Sequence, residues 1–487
     1  MYFKYYGLAF ILALVFLPWL NNYFCCDDWP IILRNMQFSW QEVLSWFTGL
    51  RGGSYRPLHD VFVALGWQLF GLNPLGYRLL SVVLYALISA NVGVLAHLLT
   101  RDGRIGALAT ILFSVFATHA EPVLWFAATN ELLAGLFVLV STISFILFRR
   151  TGNSLWLVAA GLNCLLGLTS KETALLLPLM LLVYDMLWFE PTRDKKRDWR
   201  FFTPMLPVVL LWLAFLLFRI PQGSAYTSAV EFNIPRLAMN FAYYMLIGVF
   251  ALPNNYAFLA SLPSWQTQPV LPIVTLISST SVIIITGWIW FRERIWLTGE
   301  QYKKSLLFSL VWIVIALAPV IFIVSERSVF LSSVGIVLLF STVFIGAWDT
   351  AKERGKWMKR AAAVVIILYV GLNACVFGYR SVWFGRSAKV SKSVLMQLDS
   401  QIENLPTGTH ILLINLPDYI GYAFTFRNTF PSATKILEYD FDIEAVLDTE
   451  LVGLSPQQQE DYIDQLKEEA NGVVFWYRDG KLVPGRN

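Results

Sequence analysis

A chain of 487 residues that is 56% hydrophobic, 15% aromatic and only 14% charged, with mean hydropathy +0.57, is too apolar for a water-soluble globular protein. Its net charge of +4 comes from basic residues gathered in short clusters, which excludes nucleic acid as a partner and points to membrane lipids. The four cysteines, Cys25, Cys26, Cys164 and Cys375, have neither the density of a disulfide framework nor the spacing of a zinc site.

A helix needs about 20 apolar residues to cross roughly 30 Å of hydrocarbon. Runs of that kind fall near residues 7–24, 75–99, 104–118, 122–148, 154–169, 173–189, 201–219, 270–291, 304–324, 328–347 and 361–379, eleven in all. The first lacks a small-residue cleavage site and reads as a retained span. With Met1 and Lys4 inside, five basic clusters share one face: Arg101/Arg104, Arg149/Arg150, Arg193–Arg200, Arg292–Lys304 and Lys352–Arg360. The positive-inside rule then places the N-terminus in the cytoplasm and the intervening loops outside, at the plasma membrane if the chain is prokaryotic. Residues 236–252 are apolar enough to span, but one crossing there would put two basic clusters outside. They read instead as a re-entrant or interfacial helix within a long outer loop, 220–269.

The first outer loop, residues 25–74, carries two amphipathic stretches, one around Trp40–Phe47 and one around Leu58–Phe70, expected to lie on the outer membrane surface. After residue 380 the composition turns polar. A strand is expected at His410–Asn415, a short helix at Gly421–Asn428, a strand at Lys435–Tyr439, a helix at Pro456–Ala470, and a terminal strand and hairpin from Gly472 around Asp479-Gly480. The expected architecture is thus an all-α polytopic membrane domain, residues 1–380, followed by a small α/β domain, 381–487, on the outer face.

Adjacent acids at a membrane boundary are costly, so Asp27-Asp28 at the start of the first loop demands an explanation. Either carboxylate suits a general base that takes a proton from an acceptor hydroxyl; either equally suits the N-cap of a helix at Trp29–Asn35. Arg56, at the loop's far end, has the planar fork for a lipid-linked phosphate, or for snorkelling to headgroups. His119 and Glu121 lie in the next outer loop, with Asn130 and Glu131 just inside the following span. Asp28, His119 and Glu121 are candidate ligands for a divalent metal ion, or the last two could bind sugar. Glu131 must face a polar cavity or be paired. Lys171-Glu172 and Glu326-Arg327 stand at further outer boundaries, and Tyr244, with Tyr243 and Pro253, could line a lipid groove. Acids to activate an acceptor and cations to hold a phosphate leaving group outline glycosyl transfer from a lipid phosphate.

The order Asp27-Asp28, Tyr55-Arg56-Pro57-Leu58, Phe70-Gly71-Leu72-Asn73-Pro74, His119-Ala120-Glu121-Pro122, Ser170-Lys171-Glu172 and Glu326-Arg327 resembles the GT-C superfamily of membrane glycosyltransferases, closest to protein O-mannosyltransferase-like and TMTC-like members. The resemblance covers most of residues 1–345. It implies a multi-span helical core, catalytic loops on the extracytoplasmic face, a polyprenyl-phosphate-linked sugar donor and a first-loop aspartate as base, with Asp28 favoured over Asp27. The acceptor would be a glycan, a lipid or a protein, and transfer would invert the anomeric carbon. Ala120 stands where relatives often carry proline, and neither tetratricopeptide repeats nor a β-trefoil insertion follows. A polytopic transporter or flippase of a lipid-linked glycan is the competing reading, favoured chiefly by Glu131; a non-catalytic scaffold is a third.

Overall fold

The computed structural model describes residues 2–189, 233–250, 299–322, 325–403, 405–452, 454–470 and 472–485, with isolated positions between 209 and 287. The spans expected at 201–219 and 270–291 lie outside the continuously described residues. The chain is predominantly helical.

Helix α1 (Phe3–Ala13) passes into a 3-10 segment, Leu14–Trp19, that contains Pro18. Proline has no N–H to return to Leu14, so the regular helix cannot continue. The first outer loop holds α2 (Asp28–Asn35), α3 (Trp40–Trp46) and α4 (Pro57–Phe70). Ser39 and Glu42 close a capping box that starts α3. Pro57 starts α4 from the first position, where a missing N–H costs nothing. α4 is less superficial than its amphipathic pattern implies: His59, Asp60, Val63 and Ala64 are buried, while Leu69 stays 70% exposed.

The helices α5 (Pro74–Thr100), α6 (Gly103–Ser114), α7 (Ala120–Leu124), α8 (Thr129–Thr151), α9 (Ser154–Ser170) and α10 (Leu177–Trp188) follow. Next come α11 (Ile234–Val249), α12 (Glu300–Leu317), α13 (Phe330–Arg354) and α14 (Lys356–Ile402). Among the described residues four segments are long and apolar enough to cross a membrane: Pro74–Thr100, Phe126–Thr151, Glu326–Lys352 and Lys356–Ile402. The bent pair Gly103–Ser114 and Ala117–Leu124, at 47°, makes a fifth if it counts as one span. Phe3–Trp19 and Ser154–Ser170 are shorter apolar helices, so the eleven full-length spans expected are not all of one kind. α6 and α5 approach closely because Gly93 and Gly106 face each other: a Cβ on either would stand 2.8 Å from the other's carbonyl oxygen.

α14 is 47 residues long, about 70 Å at the helical rise. It runs without a break through residue 380, from exposed Ile367 and Leu368 to buried Ser387 and Ser391. Beyond it stand β1 (His410–Leu416), β2 (Tyr419–Ile420), β3 (Ala423–Phe424), α15 (Phe430–Ile436), β4 (Asp442–Leu447), α16 (Asp448–Leu451), α17 (Pro456–Ala470), β5 (Val473–Arg478) and β6 (Lys481–Pro484). The sheet order is β4-β1-β5-β6, with β1 parallel to β4 and β5, and β6 returning antiparallel through Asp479-Gly480. The helix expected at Gly421–Asn428 is instead the β2–β3 hairpin, turned at Gly421 with φ +63°, followed by the 3-10 turn Arg427–Thr429. The strand expected at Lys435–Tyr439 is the end of α15 and a turn through left-handed Glu438; the strand itself begins at Asp442.

The two regions are not separate cores. Phe24, Trp29 and Ile32 of the first loop, with Tyr77 and Phe126, pack in one apolar cluster with Leu395, Ile411, Leu413, Phe426 and Phe430. Burial of that surface fixes the first loop between the helices and the sheet.

Candidate active site

The adjacent aspartates have opposite fates. Asp27 occupies the N-cap position of α2, yet its side chain makes no capping hydrogen bond. It is partly exposed, and among the described residues its carboxylate receives only a long contact from the Cys26 thiol, 3.6 Å. Asp28 is fully buried. Its Oδ2 pairs with Arg78 at 3.0 Å and accepts from the Cys25 N–H at 3.4 Å, and its Oδ1 accepts from the Ala127 N–H at 2.8 Å. Arg78 also donates to the Asn22 and Tyr23 carbonyls, so the pair ties the loop to α5. Burial lifts the Asp28 carboxyl above its ordinary range, against the pull of Arg78 and the two amides.

Around this loop every acid expected at the outer boundaries meets a cation. Arg56 forks onto Glu172 at 2.8 and 3.2 Å. Burial would raise the Glu172 carboxyl, but Arg56 and Lys171 hold it down to about 2. Lys171 pairs with Glu131, both buried, and lies within electrostatic reach of Glu172, Arg56 and Arg327. Glu131 and its neighbour Asn130 sit in the first turn of α8, both buried. Glu121 faces Arg327 at 3.6 Å, the loosest of these pairs, and the Arg327 guanidinium lies 4.7 Å over the Trp125 ring. Glu326 binds buried Arg380 at 2.8 Å, and Arg380 also donates to the Ala117 carbonyl. Tyr244 is buried, donating to the Val320 carbonyl and accepting from the Ser325 N–H. Trp125, two residues from the amide that Asp28 grips, links the paired charges to the first loop.

The metal triad expected of Asp28, His119 and Glu121 does not assemble. Asp28 is committed to Arg78, and Glu121 to Arg327. His119 is buried with Nδ1 against the Tyr85 hydroxyl and Phe113 carbonyl and Nε2 against Ser333, leaving no nitrogen to ligate. Among the described residues no group of three or more His, Cys, Asp or Glu side chains could hold a metal ion. Its place in a short polar loop suggests the surface for His119; an aromatic cage of Phe113, Phe116 and Phe330 takes it inward.

Two organising cations escaped the sequence reading. Arg78 lies at the start of an apolar run and Arg380 one residue past the end of another. A charge within or flanking a run meant for lipid is costly without a partner, and that cost was the available signal. A second buried centre, Asp60 with Arg34 at 2.7 Å and Arg51 at 3.4 Å, closes the far end of the first loop. Next to it, burial of His59 pushes its imidazole down to about 3, with Arg56 and Arg34 adding to the effect against Asp60.

No family model matches the chain. The human protein O-mannosyl-transferase TMTC2 is 27% identical over 198 residues, 37% of this chain and 24% of that protein. The Drosophila melanogaster protein O-mannosyl-transferase Tmtc1 is 31% identical over 189 residues, 35% of this chain and 22% of its own length. The chain thus spans about a quarter of the length of the curated relatives it matches. The crystal structure of the apo Archaeoglobus fulgidus oligosaccharyltransferase superimposes with a TM-score of 0.48 and 10% identity, over 97% of this chain and 69% of that one. The resemblance to TMTC-like transferases carried by the ordered motifs has its counterpart in the first two proteins.

Proposed function

We propose that this protein is a membrane glycosyltransferase that moves a sugar from a polyprenyl-phosphate-linked donor to an acceptor hydroxyl on the extracytoplasmic face, the side that the positive-inside rule assigns to these loops. The observation that carries the proposal is the contrast at the first loop. Asp27 has no cation partner among the described residues, whereas Arg56, Lys171, Arg327 and Arg380, at the other outer boundaries, are each held by a glutamate. Similarity to protein O-mannosyl-transferases supports the reaction class.

In this reading Asp27 is the base in place of Asp28, whose oxygens are spent on Arg78 and two amides. The acceptor hydroxyl attacks the anomeric carbon as its proton passes to Asp27. The bond from that carbon to the phosphate oxygen breaks on the opposite face, and the phosphate leaves with the electron pair, so configuration inverts. Arg327 is the principal phosphate ligand: its pair with Glu121 is the longest of these four, it is one-third exposed, and its guanidinium lies over the Trp125 ring. Arg56, gripped through two bonds by Glu172, fixes the end of the first loop against the 170–172 turn.

The test is transfer, or slow hydrolysis, of a labelled polyprenyl-phosphate hexose by the full chain in membranes. Asp27→Asn should lower turnover by roughly 100-fold or more, the usual loss of a general base. Arg327→Gln should raise the donor KM. Undiminished turnover in a folded Asp27→Asn variant, or movement of the lipid without bond cleavage, overturns the proposal; the second outcome would favour a flippase.

A further inference from the structure

Asp27, half-buried, follows an unusual backbone. The preceding residue, Cys26, has φ +48°, in the left-handed region that a non-glycine residue enters at a cost. Strain of this kind persists only where the surroundings over-determine it. Here the restraint comes from the far end of the chain. The Cys26 N–H donates to the Thr425 carbonyl at 2.8 Å, joining the first loop to the segment after β3. Two serines one turn apart on α14 fasten both sides of that bond. Ser387 donates to the Phe424 carbonyl at 2.6 Å and lies 3.2 Å from the Thr425 hydroxyl. Ser391 donates to the Phe24 carbonyl at 2.8 Å. Both serines are fully buried, and Phe24 and Phe426 lie in the same apolar cluster.

We propose that Ser387 and Ser391 are positioning residues for Asp27: a hydroxyl latch on α14 that clamps residues 24–26 against residues 424–425 and so keeps Cys26 left-handed and fixes the direction of the Asp27 carboxylate. The C-terminal region is then a working part of the catalytic loop, joined to it by one backbone bond and two serine hydroxyls, in addition to any role in acceptor recognition. The inference about catalysis rests on the transferase reading above; the latch itself does not.

The experiment uses the full chain in detergent, with two readouts. Cys25 and Cys26 are buried under the latch and Cys375 is exposed, so maleimide labelling followed by mass spectrometry reports the clamp with an internal control. Ser387→Ala/Ser391→Ala should raise the labelling rate at Cys25 and Cys26 about tenfold while Cys375 is unchanged. It should lower kcat by about ten- to a hundredfold, as small misplacements of a reacting group do, with donor KM within about twofold. Adding Cys26→Gly should restore kcat to within about threefold of the parent, because glycine adopts positive φ without a clamp; a purely structural defect would not be rescued this way. Ser400→Ala, on the exposed end of the same helix, should move neither readout. Unchanged protection of Cys25 and Cys26 overturns the latch, whether or not any donor is turned over. Raised labelling with unchanged kcat on a donor the parent does turn over overturns the positioning role and leaves the transferase reading intact. Should the double variant fail to accumulate, Ser387→Ala alone is read in the same way.

Discussion

Removing Asp28 should unfold the first loop before it touches the chemistry. In Asp28→Ala, Arg78 remains 1% exposed with its carboxylate gone, and the Ala127 N–H loses the acceptor it met at 2.8 Å. Breaking a buried ion pair from one side costs about 3–5 kcal/mol, because the other charge stays in a medium that cannot solvate it. An orphaned buried amide costs about 1–3 kcal/mol where water cannot reach it. The Tyr23 and Asn22 carbonyls still receive Arg78, at 3.1 and 3.3 Å, so part of the penalty is relieved and about 3–5 kcal/mol is the expected total. Asp28→Asn keeps an oxygen for Ala127 and should cost less. The assay is thermal and denaturant unfolding of the full chain in detergent, alongside donor turnover in membranes. Asp28→Ala should lose stability and activity together, and Asp27→Asn activity alone. An Asp28→Ala protein that unfolds within about 1 kcal/mol of the parent yet has lost all turnover would refute the reasoning, since destabilisations above that level are what a broken buried pair gives. Asp28 would then be a reacting group.

The Arg56–Glu172 pair predicts an acid-sensitive contribution. Glu172 is held down to about 2 from an ordinary 4.5, so its stabilisation is present above pH 4.5 and is lost as pH falls from there toward 2. Because both side chains are about a quarter exposed, screening keeps the effect small, and Glu172→Gln should flatten that part of the melting temperature against pH. His59 acts in a higher window: neutral when buried, with its imidazole at about 3 against an ordinary 6.5, it favours the folded state above pH 6.5 and loses that advantage progressively between 6.5 and 3. His59→Gln should remove the corresponding slope. Gly335→Ala would put a methyl 2.7 Å from the Ser309 carbonyl and 2.8 Å from Ile313, forcing α12 and α13 apart. Overpacking of that kind costs about 1–3 kcal/mol, measurable as a lower unfolding midpoint.

The helices were legible because lipid and core alike demand long apolar runs: Pro74–Thr100 and Phe330–Arg354 stand within a few residues of where hydropathy sets them, apart from the polar tail of the second. The strand His410–Leu416 and the helix Pro456–Ala470 followed from local periodicity in the same way. Gly421–Asn428 misled because its apolar pair Ala423-Phe424 fits a helix turn as well as a hairpin; only pairing with Tyr419-Ile420 settles it.

What the sequence determined by itself was a composition fit for a membrane, the long apolar helices such as Pro74–Thr100, and the set of boundary charges, because each of these depends on residues near one another in the chain. It named Asp27 and Asp28, favouring Asp28, together with Arg56, His119, Glu121, Asn130, Glu131, Lys171, Glu172, Tyr244 and Arg327. It could not say which acid meets which cation, since those pairs join residues up to 206 positions apart, as Glu121 and Arg327 are. Nor could it separate Asp27 from Asp28. Successive residues in a helical turn point about 100° apart. Which of them met Arg78, 50 positions on, and which was left facing out depended on how α2 docked against α5 and the C-terminal sheet.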